Sequence, residues 1–210
     1  DQRRARTYGF HFTDYFPNRE LGVVLFNQGR IEAAIEALTT SLASWKSAKA
    51  ELYLDRARKA LIEKNQLDKL LPEIIIRSPE QNALTNQFSV IIRGIAKDDT
   101  FVRHIKIGEK ELRVDVSSPE IPFEMEVPIR DGENSIRVSA SDLTGKTAQA
   151  VVTVNTDRVG PVIRIDEPGE GDPIPSAGLF LSGYAADNSG ISEWRVNGKR
   201  FSHDGSRELQ

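Results

Sequence analysis

The sequence contains no cysteine, a single methionine and no long apolar run. Without cysteine there is no thiol nucleophile, no disulfide and no cysteine-held zinc. The longest apolar stretches, Val23 to Phe26 and Ile74 to Ile76, fall far short of the roughly 20 residues that cross a bilayer, so no membrane-spanning helix is expected. Positive charge is not in excess either. The net charge of −3 and pI near 5.7 speak against a general attraction for nucleic acid. Arg3, Arg4 and Arg6 are a local exception and read as a solvated end of the chain, the alternative being a phosphate-binding arm. His11, His104 and His203 are widely separated, and none stands at metal-ligand spacing from another. What is present is an ordinary globular balance, 39% hydrophobic and 28% charged, in 210 residues. That length is enough for two or three small domains with their own cores.

Helical periodicity dominates residues 17–71. Ile31, Ala34, Ile35, Leu38 and Leu42 fall on one helix face. Before them Leu21, Val24 and Leu25 form a shorter stripe, opened by Pro17 and closed by Gly29. A third stripe runs through Ala50, Tyr53, Leu54, Ala57, Ala60 and Leu61. Short connections predict three antiparallel neighbours. The series Leu21-Gly22, Leu25, Gly29, Ile31, Ala34, Leu38 and Ser41 resembles one tetratricopeptide repeat. Ser44-Trp45 departs from that pattern where a proline usually stands, and the third helix reads as a cap. Residues 1–16 form an aromatic-rich segment in which Tyr8, Phe10, Phe12, Tyr15 and Phe16 cluster. They are expected to cap the helices, or alternatively to face a partner.

After Leu71-Pro72 the period changes to two. Phe88, Val90 and Ile92 alternate with Ser89, Ile91 and Arg93, and Ile121, Phe123, Met125, Val127 and Ile129 follow the same rule. About seven such segments predict an antiparallel sandwich over residues 72–159. Residues 72–113 also align without a gap on 161–202, an offset of 89 residues. Pro72, Ile74, Ile76, Pro79, Gly94, Ala96, Asp98 and Lys110 recur as Pro161, Ile163, Ile165, Pro168, Gly183, Ala185, Asp187 and Lys199. That period is the size of an immunoglobulin-like domain. The second copy, residues 160–210, reads as incomplete, and the chain as a piece of a longer protein. The predicted class is therefore multidomain α plus β: a short tetratricopeptide-like helical module, then antiparallel immunoglobulin-like β-sandwich modules, the last truncated.

The pattern Gly183-Tyr184-Ala185-Ala186-Asp187 leading to Trp194-Arg195-Val196-Asn197-Gly198, with the first copy closing on Asp131 to Asp142, resembles bacterial immunoglobulin-like modules related to the B domain of glucodextranase. A helical repeat followed by such modules is similar to exported bacterial proteins in which they precede a caspase-like peptidase. That resemblance implies an extracytoplasmic or cell-envelope location, and a catalytic domain outside this chain.

Residues with chemical potential are few. Gly169-Glu170-Gly171 lies among prolines, lacks a following lysine and reads as a connecting loop. Glu124 and Glu126 read as the solvated face of a strand. Asp98, Asp99 and Asp142 stand in loops expected at one end of the sandwich, where hard oxygen ligands suit calcium. The competing expectation is that each aspartate fixes its own turn. Asp187 and Asn188, with Asn155 and Asp157, form the corresponding set near the second copy. The sequence thus predicts a non-catalytic interaction and spacer scaffold, with no cofactor other than a candidate calcium ion. The partner is expected to be a protein or peptide. The alternatives are a carbohydrate-binding accessory module, or the regulatory arm of a caspase-like peptidase. Against sugar binding, several of Phe88, Phe101, Phe123, Phe180, Tyr184, Trp194 and Phe201 are expected to point inward.

Overall fold

The computed structural model describes residues 1–6, 12–173, 178–201 and 208–209. Strands β1 (Gln2–Arg6) and β2 (Phe12–Tyr15) form an antiparallel pair, so Arg3, Arg4 and Arg6 lie in a strand. Three helices follow: α1 (Pro17–Asn27), α2 (Ile31–Ser44) and α3 (Ala48–Asn65). Pro17 sits in the first turn of α1, where its missing N–H costs nothing. The Asp1 carboxylate accepts the Asn18 and Arg19 N–H groups at 3.0 and 3.2 Å, satisfying two orphan donors of that helix end. Ser47 caps α3 by accepting the Ala50 N–H, and Gln66 ends it in the left-handed region at φ 51°.

The helical core is built from Leu25, Ile31, Ala34, Ala37 and Ala57, with a second cluster of Leu38, Ala50 and Leu54. Gly22 has a steric purpose: a Cβ there would lie 2.5 Å from Leu38 Cγ, so the glycine lets α1 approach α2. One expectation fails on α1. Leu21 and Val24, assigned to the buried stripe, are 51% and 49% exposed, and the inward positions are Gly22 and Leu25. The close approach at Gly22 rotates the contact face by one residue.

The β-region begins with β3 (Glu73–Ser78), β4 (Ala83–Thr85) and a 19-residue β5 (Ser89–Ile107), followed by β6 (Lys110–Leu112), β7 (Ser118–Pro128), β8 (Gly132–Asp142) and β9 (Thr147–Thr156). Ladder pairing links them in the order β3-β5-β8-β9-β4, with β6 and β7 also on β5. The two ends of β5 serve different neighbours. Ser89–Lys97 pairs with β3 and β7, whereas Val102–Ile107 pairs mainly with β6 and β8, β7 reaching it only through Ser118 opposite Val102, and the register shifts between these stretches. Ile92, Ala96 and Phe123 from one side meet Ile105, Ile107, Val138, Ala140, Val152 and Val154 from the other in a single core. The sandwich expected over this region is therefore present. The sequence pattern suggested two strands separated by a loop where the structure has one bent strand. Phe88, expected as an inward residue, precedes β5 and is 77% exposed.

Chain contacts divide the molecule into two compact units, residues 1–83 with 88–155, and residues 84–87 with 156–210. The helices share the first unit with the sandwich because a buried polar network joins them. Asp55 of α3 accepts the N–H and hydroxyl of Ser117 at 3.1 and 2.6 Å, and Arg103 of β5 pairs with its other oxygen at 2.8 Å. Arg58 adds a 2.6 Å bond to the Ser117 carbonyl and stacks over Phe101. Val116 packs against the Leu38–Leu54 cluster beside this network.

The second unit repeats the opening strands. It contains β10 (Val162–Glu167), β11 (Ser182–Ala186), β12 (Trp194–Val196), β13 (Lys199–Phe201) and β14 (Glu208–Leu209). Ile165 faces Gly183 across β10 and β11, as Ile76 faces Gly94 across β3 and β5, an agreement at the 89-residue offset. At both glycines a Cβ would come well inside 3.0 Å of the neighbouring strand, meeting Ile75 O and Phe123 at Gly94, and Arg164 O at Gly183. The recurring glycine is thus a close-approach position. The Ser78-Pro79 and Glu167-Pro168 peptide bonds, also at equivalent positions, are both cis.

Candidate functional site

Three carboxylates meet at one end of the first sandwich. Asp98 lies where β5 bends, Asp142 ends β8, and Asp68 belongs to the segment joining α3 to β3. One ligand atom from each lies within 4.8 Å of those of the other two.

The two strand-borne aspartates are used in the same way. Asp142 Oδ1 accepts the N–H groups of Thr144, Gly145 and Lys146 at 2.7, 2.7 and 3.0 Å. Asp98 Oδ1 accepts the N–H and hydroxyl of Thr100 at 2.9 and 2.6 Å. Each therefore does fix its own turn, but with one oxygen. The second oxygens, Asp142 Oδ2 and Asp98 Oδ2, are buried and accept no hydrogen bond among the described residues. Asp142 is only 2% exposed. Leaving a buried carboxylate oxygen unsatisfied costs more than a typical hydrogen bond returns.

Asp68 is held differently. Its Oδ2 accepts the Thr144 hydroxyl and its Oδ1 the Lys146 ammonium at 2.7 Å, and the same ammonium reaches the Leu70 carbonyl at 3.2 Å. Burial works against ionisation of Asp68, but the bonds from Lys146 and Thr144 outweigh it and hold the carboxyl below its ordinary range. Lys146 is raised, first by its bond to Asp68, against desolvation, with the charges of Asp142 and Asp99 adding to the effect.

Of the sequence-derived set, Asp98 and Asp142 come together and Asp99 does not join them. Its Oδ2 accepts the Lys69 N–H at 3.1 Å, placing it against the linker. Asp68 takes the third place. The repeat offers a signal for it: Asp68 recurs as Asp157 at the same 89-residue offset that relates Asp98 to Asp187. In the second unit Asp187 Oδ1 accepts the Ser189 N–H at 2.8 Å, and the Ser189 hydroxyl bonds Asp157. That bond is the main cause holding Asp157 below its ordinary range, with the Val159 N–H second. Asn155 falls in the first unit.

Other candidates are placed plainly. Tyr8 and Phe10, with His11 and His203, lie outside the described residues, and Phe12 is in β2. Phe16 is buried at the start of α1 with the Arg19 guanidinium 4.1 Å from its ring centre, whereas Tyr15 is exposed. His104 Nδ1 lies 2.8 Å from Glu111 across the β5–β6 pair. Glu124 is exposed and paired with Arg93, as a solvated strand face requires. Asp172 accepts the Gly169 N–H at 2.6 Å, closing the Gly169–Gly171 loop as a turn. Phe123 is buried and Phe101 lies under Arg58, but Phe88, Phe180, Tyr184 and Trp194 are exposed, contrary to the inward placement expected of several aromatics.

Residues 72–158 match the family model described as glucodextranase, domain B. A stretch of 131 residues is 33% identical to Bacillopeptidase F of Bacillus subtilis (strain 168), covering 62% of this chain and 9% of that protein. The chain thus spans less than a tenth of that curated relative. Among solved structures, the fibronectin(III)-like modules of Clostridium thermocellum CbhA align at 20% identity and a TM-score of 0.33, over 44% of this chain and 50% of theirs.

Proposed function

We propose that this chain is a non-catalytic spacer and protein-docking segment of an exported bacterial protein, any catalysis of the parent lying outside these residues. The observation that carries the reading is the β-repeat itself. One sandwich matches the family model for domain B of glucodextranase, its opening strands recur 89 residues later, and the likeness to a peptidase covers 9% of that peptidase. The tetratricopeptide reading of the helices is supported by the close approach of Gly22 to Leu38. Exposed Leu21 and Val24 on α1 supply an apolar strip for a protein or peptide.

A second reading, a carbohydrate-binding accessory module, is favoured by the glucodextranase likeness and by the exposed Phe180, Tyr184 and Trp194 of the second unit. One set of assays separates these. The folded 210-residue chain is expected to leave casein uncut, to pass unretained through insoluble glucans, and to capture an envelope protein that L21S/V24S releases. Hydrolysis by the folded chain overturns the non-catalytic reading. Retention on glucan that is competed by soluble oligosaccharide replaces docking with sugar binding.

A further inference from the structure

We propose that Asp68, Asp98 and Asp142 form a calcium site that clamps the linker after α3 to the end of the first sandwich. The proposal is independent of the docking reading, because it is read by ion binding alone. Three observations converge. The ligand atoms lie within 4.8 Å of one another, a spacing one cation can bridge. Asp142 is only 2% exposed, yet presents an oxygen with no donor among the described residues, and so does Asp98. Only Asp68 is paired with an ammonium, that of Lys146, so the Asp98 and Asp142 carboxylates leave negative charge that a divalent cation can meet.

The ligand chemistry selects the ion. Among the described residues no histidine contributes, and the sequence has no cysteine, so the site offers hard oxygens, which suit calcium and not zinc or copper. The Leu70 carbonyl, which accepts from the Lys146 ammonium at 3.2 Å, is the proposed fourth oxygen, and water completes the six to eight that calcium takes. A cation entering here displaces the Lys146 ammonium from Asp68, so Lys146 is a competitor and not a ligand. The Asp142 and Asp98 turns need no rearrangement, since their Oδ1 atoms keep their own N–H partners.

The experiment is calorimetric titration of the whole 210-residue chain with calcium chloride, alongside magnesium chloride, after removal of bound ions with chelator. Calcium is expected to bind with Kd about 10⁻⁴–10⁻³ M, as in extracellular modules. At tenfold excess over Kd it should raise Tm by about 3–6 °C. Asp142→Asn keeps the Oδ1 acceptor for the turn, removes the orphan oxygen, and is expected to weaken binding at least about tenfold. Lys146→Gln is expected to tighten it several-fold, an effect opposite to that of losing a merely structural ion pair. Should Asp142→Asn fail to fold, Asp98→Asn carries the same test. No binding heat up to about 10 mM calcium overturns the proposal, since the weakest such modules bind near 10⁻³ M. So does wild-type affinity in Asp142→Asn, or looser binding in Lys146→Gln. Equal affinity for magnesium overturns the assignment to calcium.

Discussion

Asp55 and Ser117, 62 residues apart, form a two-bond contact in which one carboxylate oxygen takes both the N–H and the hydroxyl of the serine. Arg103 occupies the other carboxylate oxygen as an ion pair. The contact explains why three helices and a β-sandwich make one compact unit. It also makes Asp55→Ala a severe change, because Arg103 and the Ser117 donors lose their shared acceptor inside the protein. The expected cost is about 3–5 kcal/mol, read from the midpoint of urea unfolding. An effect under about 1 kcal/mol, the size of an exposed pair, would show that the network does not hold the helices in place.

Gly94→Ala tests the close approach between β3 and β5. With a backbone oxygen and the Phe123 ring both inside 3.0 Å of the new Cβ, the strands must separate. Overpacking of this kind costs about 1–3 kcal/mol. A thermal melt unchanged from wild type refutes the steric account of the recurring glycine.

The face of α1 is testable by contrast. Leu38→Ala, at a fully buried position, is expected to lose about 2–5 kcal/mol. Leu21→Ala, at a half-exposed one, should stay within about 0.5 kcal/mol. Equal losses in denaturant would mean that Leu21 is covered in solution, and would restore the stripe the sequence suggested.

Glu20 of α1 reaches Lys49 of α3 at 2.5 Å and Arg19 at 2.7 Å. The bond from Lys49 is the largest cause, burial opposes it, and the net effect holds the Glu20 carboxyl below its ordinary range. A depressed folded-state value contributes stability above the unfolded value, and that contribution is lost as pH falls through the folded one. Glu20→Gln should therefore destabilise slightly at pH 7, by about 0.2–1 kcal/mol for so exposed a pair. The gap to wild type should close as the medium is acidified through the carboxylate range. A gap that persists at pH 2 would place the effect in packing instead of charge.

Much of this architecture is legible in the residues. The helix stripes in 17–65 and the alternation after Pro72 both reflect burial of one face, which is local and periodic. The 89-residue repeat is legible because recurring positions answer physical demands, a close approach at Gly94 and Gly183, a turn at Asp98 and Asp187. What the pattern did not disclose depends on distant partners. Leu21 and Val24 look like core until Gly22 sets the helix approach. Asp99 looks like a ligand until the Lys69 N–H claims it, and Asp68, alone in a linker, has meaning only beside Asp142.

Strand β5 pairs with β3 and β7 along one half and with β6 and β8 along the other, with no loop between. A slip of one residue in either half would turn side chains to the wrong face. With no loop to absorb such an error, it would be handed on through Asp98 to the partners of the other half. The neighbours of both halves therefore take their register from one strand, and mispairing anywhere along it is felt throughout the module.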